Sequence, residues 1–162
     1  MSYEIKDHML FIDGEQVEYK PSPNHGGEID PTVIVIHYTA SNNNDGDINW
    51  LTSKQSKVSA HVVVAKDGTI VQLLPFNIKG WHAGVSKYRG REYVNSFSVG
   101  IENTGLGDEW PEPQVVANRE LIRALFDAYP GMMDVVGHSD VAPGRKVDPG
   151  PNYPWSEVCD VP

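Results

Sequence analysis

Two histidines and one aspartate occupy positions from which side chains can converge on a metal ion. His37 follows the apolar run at residues 33–36, and His138 follows a shorter apolar run that breaks at Gly137. Asp148 lies further on, in a loop that several prolines stiffen. Catalytic zinc is commonly held by three protein ligands, which leave a fourth position for water. Two histidines at matching strand ends, together with a loop carboxylate, therefore predict a metal site.

Asp140 is a second carboxylate close to His138, and it leaves the set of ligands open. It competes with Asp148 for the third position, or it orients His138 from outside the coordination sphere. The spacing of His138 and Asp140 also occurs in two-histidine, one-carboxylate iron oxygenases. By analogy, those enzymes take their other histidine from downstream, and no histidine follows His138 in this chain. Metal analysis of the purified protein would distinguish zinc from iron.

Glu102 and Lys146 each have an ordinary and a catalytic interpretation. Glu102 ends the segment SFSVGIEN, where it either forms a salt bridge at a strand end or acts as a general base on water. Lys146 stands two positions before Asp148, where it is either a solvated lysine or a donor to an oxyanion. Both catalytic interpretations depend on the metal site.

The other four histidines differ in their surroundings. His8 and His25 lie in the N-terminal hairpin and the loop after it, and we expect both at the surface. His61 begins an apolar segment, so it either lines the site or caps a strand. His82 follows Trp81 in a glycine-rich segment, which favours contact with a substrate.

The elements that position these residues predict an α/β fold. Asp13-Gly14 and Asp67-Gly68 are two-residue turn signals, which predict hairpins over residues 9–19 and 59–75. Apolar runs predict further strands over 32–40, 96–103 and 134–137. Apolar spacings of three and four predict a helix over about 112–129, and Asp45 or Asp47 is expected to cap another over about 48–57. Residues 20–31 are predicted as loop and 80–95 as irregular.

Strands and helices alternate along the chain, but two pairs of strands are joined as hairpins. We therefore expect one domain with a central mixed β-sheet flanked by helices and an N-terminal β-hairpin.

Composition excludes several classes of function. The chain has 162 residues, a net charge of −9 and a pI near 5.0, which argues against nucleic acid as a partner. Cys159 is the only cysteine, so no disulfide can form within the chain. The N-terminus has no apolar signal-peptide core, and no apolar run approaches the roughly 20 residues of a membrane-spanning helix. We expect a soluble protein that is made in the cytoplasm and has no membrane partner, with later release or export left open.

Five blocks of the sequence resemble the zinc-dependent N-acetylmuramoyl-L-alanine amidases. They are VIVIHYTA, SAHVVVAKDGTIVQLLP, GWHAGVSKYRGRE, SFSVGIEN and GHSDVAPGRKVDPGP. This family includes phage lysozyme-type amidases, the cytosolic muropeptide-recycling amidase and the peptidoglycan recognition proteins. The resemblance runs from about residue 21 to 157, in order, and it is greatest to the muropeptide-recycling branch. Residues 1–20 are therefore predicted as a hairpin extension, and 21–162 as the catalytic domain.

The resemblance implies a role for each candidate residue. Zn²⁺ would be held by His37, His138 and Asp148, with Glu102 as general base and Lys146 stabilising the tetrahedral intermediate. The bond cleaved would join the lactyl group of N-acetylmuramic acid to the L-alanine of the stem peptide, in peptidoglycan or a muropeptide. The residues assigned to substrate binding are Tyr38, His61, Trp81, His82, Arg89, Arg91 and Asn103. We expect the enzyme to act as a monomer.

A basic segment surrounds Trp81 and His82, and its charges suit an anionic stem peptide. Its basic residues are Lys79, Lys87, Arg89 and Arg91, with no acid between the first and the last. The segment is either a solvated loop or one wall of the substrate groove, and we expect the second.

Departures from the family pattern narrow these expectations. Some members have a tyrosine at the position of Ala60, so the work of a base falls here on Glu102. Tyr93 stands where the recycling enzyme is expected to have a basic residue, which leaves the choice between anhydro-muropeptide and intact peptidoglycan open.

Recycling, phage-mediated lysis and an exported antibacterial effector all fit the sequence. A non-catalytic recognition module would have lost a metal ligand, whereas all five functional residues are present.

Overall fold

A six-stranded mixed sheet forms the centre of the fold in the computed structural model, which describes residues 1–159. The strands are β1 (Tyr3–Lys6), β2 (Met9–Ile12), β3 (Glu15–Gln16), β4 (Glu18–Tyr19), β5 (His25–Glu28), β6 (Val33–Tyr38), β7 (Val62–Val64), β8 (Ile70–Gln72), β9 (Ile78–Gly80), β10 (Lys87–Tyr88), β11 (Arg91–Glu92), β12 (Ser98–Asn103) and β13 (Asp134–Gly137). The helices are α1 (Asn44–Leu51), α2 (Glu112–Ala128), α3 (His138–Val141) and α4 (Trp155–Val158), and a 3-10 turn covers Val94–Phe97.

The strand order of the central sheet is β13-β6-β12-β7-β8-β4. The first four strands are parallel to their neighbours, β8 is antiparallel to β7, and β4 is parallel to β8. The predicted mixed sheet is thus confirmed. In the smaller sheets, β2 pairs with β1 and β3, β5 pairs with β9, and β10 pairs with β11.

Strand β6 buries both of its faces, as its unbroken apolar run predicted. Ile34 and Ile36 pack with α2, whereas Val33 and Val35 pack on the other face with Phe97. Leu121, Ile122 and Leu125 of α2 are fully buried, and each leucine contributes about 1.5–3 kcal/mol relative to an exposed one. Within residues 1–159, no helix is both long and apolar enough to cross a membrane.

Helix α1 lies four residues earlier than its predicted start, so the predicted range of about 48–57 was wrong. Asn43 is the N-cap, because its side-chain oxygen accepts a hydrogen bond from the Gly46 N–H at 3.0 Å. Asp45 and Asp47 lie within the first turn, where they complement the helix dipole instead of capping it.

Two short strand pairs lie in segments that were predicted to be irregular. Strand β5 falls inside the predicted loop over 20–31 and pairs with β9. Strands β10 and β11 form a hairpin inside residues 80–95, turning at Arg89 and Gly90, both with positive φ. Strands β5, β10 and β11 are mostly exposed and have no apolar pattern, so hydrogen bonds to their partner strands fix them instead of burial.

The N-terminal segment continues into the central sheet. Strands β2 and β3 form the predicted hairpin at Asp13-Gly14. Leu10 of β2 is fully buried in the core, and its N–H donates to Oε1 of the buried Gln72 at 2.8 Å. Strand β4 then pairs with β8 and becomes the edge of the central sheet. Residues 1–20 therefore share both core and sheet with the rest of the chain.

Candidate metal centre and active site

Three neighbouring parallel strands bring candidate residues to one edge of the sheet. Strands β13, β6 and β12 lie side by side, and their carboxyl ends meet, as in other parallel sheets where sites form. His138 directly follows β13, and His37 pairs in register with Glu102 of β12. Along their strands, His37 and Glu102 alternate with residues whose side chains pack under α2. Both therefore point to the opposite face of the sheet.

A short helix and the loop after it return Asp148 to the same place. The Ser139 N–H donates to the carbonyl of Asp148 at 2.9 Å, which closes the loop onto the start of α3. Asp140 takes a different role, because its Oδ2 accepts a hydrogen bond from the Gly137 N–H at 2.7 Å. The structure therefore groups Asp148, and not Asp140, with the two histidines.

The three candidate ligand atoms form a nearly equilateral triangle. His37 Nδ1 lies 3.1 Å from His138 Nδ1 and 3.1 Å from Asp148 Oδ2, and the third side measures 3.2 Å. Ligands of a tetrahedral zinc at ~2.0–2.1 Å are separated from each other by roughly 3.3–3.4 Å. All three residues are buried, and two imidazoles with one carboxylate suit zinc chemically. The site fits the metal that the resemblance implies.

The surroundings hold these ligands in the forms that bind a cation. Burial lowers the pKa of His37 to about 4, so its imidazole stays neutral near pH 7. Burial alone would raise the pKa of Asp148, but hydrogen bonds from His138 and His37 outweigh it and hold that pKa well below its usual range. A neutral imidazole and an ionised carboxylate are the ligating forms.

Glu102 lies beside the triangle. Its Oε1 is 3.4 Å from His37 Nδ1, and its side chain is 14% exposed. Burial raises the pKa of Glu102 well above its usual value, and the nearby carboxylates of Asp148 and Asp47 raise it further, against an opposing effect of Lys146. A carboxyl group with a raised pKa is suited to moving protons near neutral pH.

A cavity of about 450 Å³ opens over the cluster. The residues predicted from sequence that line it are His37, Tyr38, Trp81, His82, Glu102, His138, Lys146 and Asp148. Asp47, Trp50 and Arg145 also line it, and sequence reasoning missed them as site residues. Asp47 and Trp50 lie three residues apart on α1 and therefore share a face of that helix.

Four other residues assigned to substrate binding lie outside the lining of this cavity. His61 is fully buried, where its Nδ1 accepts from the Gly100 N–H at 3.0 Å. Asn103 is also buried and donates from Nδ2 to the His37 carbonyl at 3.0 Å. Arg89 and Arg91 are exposed on the β10–β11 hairpin, where the Arg91 guanidinium stacks 4.0 Å from the Phe97 ring.

His82 contacts the candidate ligand His37 directly. Its Nδ1 lies 3.0 Å from Nε2 of His37, and its Nε2 lies 3.1 Å from the hydroxyl of the buried Ser98. The ring lies flat against β12 at Gly100, where an added Cβ would come within 2.5 Å of His82 Cγ. Burial, followed by the neighbouring His37, lowers the pKa of His82 well below its usual value, so this ring is neutral.

Comparison with known proteins gives consistent matches over nearly the whole chain. The sequence model for the N-acetylmuramoyl-L-alanine amidase family matches residues 27–151. The 1,6-anhydro-N-acetylmuramyl-L-alanine amidase AmpD of Escherichia coli (strain K12) is 35% identical over 158 residues, covering 84% of this chain and 86% of that protein. The N-acetylmuramoyl-L-alanine amidase AmiD of the same organism is 37% identical over 147 residues, covering 78% of this chain and 51% of that protein.

Solved structures match in three dimensions as well. A crystal structure of a selenomethionine derivative of AmpD superposes with a TM-score of 0.83 at 29% identity, covering 96% of this chain and 97% of that one. AmiD from E. coli, in complex with the substrate anhydro-N-acetylmuramic acid-L-Ala-D-gamma-Glu-L-Lys, superposes with a TM-score of 0.72 at 29% identity. That match covers 98% of this chain and 65% of the AmiD chain.

Proposed function

The chain belongs to the N-acetylmuramoyl-L-alanine amidase family and hydrolyses the amide between N-acetylmuramic acid and L-alanine, and we propose that His37, His138 and Asp148 hold a zinc ion for this reaction. The triangle of ligand atoms, with sides of 3.1–3.2 Å, carries the proposal. A zinc ion bound there would polarise the scissile carbonyl and lower the pKa of water.

Glu102 is proposed as the general base and later the general acid. Its carboxylate adjoins the triangle and opens into the cavity, so it can take a proton from the attacking water. It then passes that proton to the leaving nitrogen of L-alanine. The raised pKa of Glu102 favours its protonated form, which is the form that the second step needs.

Lys146 is proposed to stabilise the oxyanion of the tetrahedral intermediate. It lines the same cavity as Glu102, and its position two residues before Asp148 fixes its backbone next to the cluster. A cation near developing negative charge stabilises the transition state more than the ground state. Tyr38 and Trp81 line the cavity around this point and are proposed to contact the substrate.

We propose soluble muropeptides, including anhydro-muropeptides, as the substrate class. Relatives of this chain are 1,6-anhydro-N-acetylmuramyl-L-alanine amidases, and the related AmiD structure holds an anhydro-muropeptide. Lys146 and Arg145 make part of the cavity wall cationic, which suits an anionic stem peptide. A single chain contributes every proposed residue, so we expect a monomer to be active.

The test uses a soluble anhydro-muropeptide and follows the released peptide by mass spectrometry. Wild-type protein should bind about one zinc per chain, lose activity when a chelator removes it, and recover when zinc is added back. Intact peptidoglycan serves as the second substrate, and iron(II) as the competing metal. Full activity in verified metal-free protein would rule out the proposed metal chemistry.

A further inference from the structure

The dipeptide formed by His82 and Ala83 contacts the outer nitrogen of both histidine ligands. Nε2 of His37 lies 3.0 Å from Nδ1 of His82, and Nε2 of His138 lies 3.0 Å from the carbonyl oxygen of Ala83. In both histidines Nδ1 faces the triangle and must carry a lone pair to bind a cation. With a cation bound, the proton of each ring therefore resides on Nε2, and each Nε2–H donates to the dipeptide. Without a cation, Nδ1 of either ring can instead donate to Asp148.

One side chain outside the cavity holds this dipeptide in place. Oδ1 of Asn95 accepts hydrogen bonds from the His82 N–H at 3.1 Å and from the Ala83 N–H at 2.8 Å. Asn95 lies in the 3-10 turn before β12, and it is not among the residues that line the cavity. A single amide oxygen thus fixes the backbone of both residues that receive the histidine protons.

The opposite side of the dipeptide is held by Arg145. Its guanidinium donates to the Ala83 carbonyl at 2.6 Å and to the Val85 carbonyl at 3.0 Å. The Ala83 oxygen consequently accepts from both His138 and Arg145, which uses its two lone pairs. The dipeptide is clamped between Asn95 and Arg145, and among residues 1–159 neither side chain hydrogen-bonds to a proposed ligand.

We propose that Asn95 is a positioning residue for the metal site, which sets metal affinity by holding His82 and Ala83 against His37 and His138. The inference rests on the proposed metal site and deepens it. Partners that orient metal-ligating histidines are typically worth about 10–100-fold in metal affinity. Asn95 is unusual because one side chain controls the partners of two ligands together.

The hydrogen bonds that run from His37 through His82 to Ser98 form a path in which the proton directions are mutually consistent. His37 Nε2–H donates to His82 Nδ1, so the proton of the neutral His82 is on Nε2, where the ring donates to the Ser98 hydroxyl at 3.1 Å. A rotation of the His82 backbone would break this path at its first step. Loss of Asn95 is expected to permit that rotation, because both amide N–H groups lose their acceptor.

The experiment compares Asn95→Ala, Asn95→Asp and Ser96→Ala with the full-length wild type. Asn95→Asp keeps an oxygen that accepts from both N–H groups, and Ser96→Ala removes a neighbouring hydroxyl with no hydrogen bond to another residue within 1–159. Zinc affinity is measured by competition with a chromogenic chelator. Asn95→Ala should weaken zinc binding roughly tenfold or more, whereas the other two variants should stay within about twofold of wild type.

A role confined to folding would lower the melting temperature of metal-free Asn95→Ala and leave its zinc affinity unchanged, which would overturn the inference. If wild type itself binds no zinc, the proposed metal site fails and the inference fails with it. If wild type binds zinc and Asn95→Ala binds it equally well, only the inference fails.

A measurement on wild type covers the case in which Asn95→Ala does not fold. Nitrogen-15 NMR of the histidine rings in the zinc-loaded protein should show protons on Nε2 of His37, His82 and His138. A proton on Nδ1 of His82 would break the proposed path and overturn the inference.

Discussion

The surroundings shift the pKa values of two carboxyl groups in the same cavity in opposite directions. Hydrogen bonds from two histidines lower the pKa of Asp148 against the effect of burial, whereas burial and neighbouring acids raise the pKa of Glu102. Environments that separate the pKa values of paired acids also separate their roles. At the scale of single residues, Asp148 is therefore suited to hold a cation, and Glu102 to exchange a proton.

Substitution of these two acids should produce different defects. Glu102→Ala should keep zinc bound but slow turnover by roughly 10²–10⁴-fold, the usual contribution of a general base. Asp148→Ala should lose the metal, because only two of the three ligands remain. Metal content by elemental analysis, together with kcat on a soluble muropeptide, separates the two outcomes. Loss of zinc from the Glu102 variant and its retention by the Asp148 variant would show the assignments to be reversed.

At the scale of elements, the end of α2 is tied to the N-terminal segment through Tyr129. The Tyr129 hydroxyl lies 2.6 Å from Nδ1 of His8, and the side chain is buried. Burial, assisted by Asp30, raises the pKa of Tyr129 to about 12. The folded state resists ionisation of this phenol, whereas the unfolded chain ionises it near pH 10.

Stability should therefore depend on Tyr129 in the alkaline range. The folded pKa is raised, so the stabilisation is fully present below about pH 10 and is lost as the pH rises towards 12. Near neutral pH, Tyr129→Phe should lower the free energy of unfolding by about 0.5–1.5 kcal/mol through the lost hydrogen bond. Between about pH 10 and pH 12 the wild type should lose stability that the variant does not.

Urea unfolding of both proteins near neutral pH and at about pH 11.5 measures this difference. The advantage of the wild type should shrink and then reverse. A constant difference across the alkaline range would show that Tyr129 is not the group responsible.

The sequence predicted those elements whose signal is local and left out those fixed by distant contacts. The β-branched run before His37, the Asp67-Gly68 turn and the periodicity of α2 all specified their structures directly. Strand β5 has the sequence HGGE, which favours no strand, and it forms because β9 supplies its hydrogen-bond partners. The start of α1 was misplaced because three successive asparagines precede Asp45, and any of several residues satisfied the capping pattern.

The candidate site likewise contains residues with a local sequence signal and residues placed by distant contacts. His37 and His138 were singled out because each follows an apolar strand, whereas Asp148 was chosen over Asp140 only through the family resemblance. The structure groups these three candidate ligands. The position of His82 behind His37 depends on the glycine at position 100, which admits an imidazole against β12. That contact joins two distant parts of the chain, and no local pattern in the sequence marks it.

At the scale of the whole molecule, a net charge of −9 opposes the approach of an anionic peptide. Arg89 and Arg91 lie outside the cavity lining, yet they are exposed on the hairpin that follows Trp81 and His82. Charges outside the cavity act on the diffusional approach and weak binding of the substrate more than on bond cleavage. Their role in substrate binding remains a proposal that kinetics can test.

Neutralising Arg89 and Arg91 together as Arg89→Gln and Arg91→Gln should raise KM more than it lowers kcat, because these charges attract substrate and transition state alike. The effect should shrink as salt screens the charges. A control with Lys6→Gln and Lys20→Gln makes the same change in net charge at exposed positions of the N-terminal segment. Steady-state kinetics at low and high ionic strength test this prediction. An equal KM for both double variants would exclude a local role of Arg89 and Arg91 in substrate binding.

The position of β4 has a consequence for self-association. A strand at the border of a sheet exposes unpaired N–H and C=O groups, which are a template for pairing with another copy. Residues Glu18 and Tyr19 occupy that border beside β8, and the Lys20 N–H donates to the Gln72 carbonyl at 2.9 Å. A protein truncated to begin at residue 21 would uncover β8, a strand of Ile70, Val71 and Gln72. We expect this truncated form to aggregate in light scattering at concentrations where the full chain remains dispersed, so that the N-terminal segment protects a sheet border from intermolecular pairing.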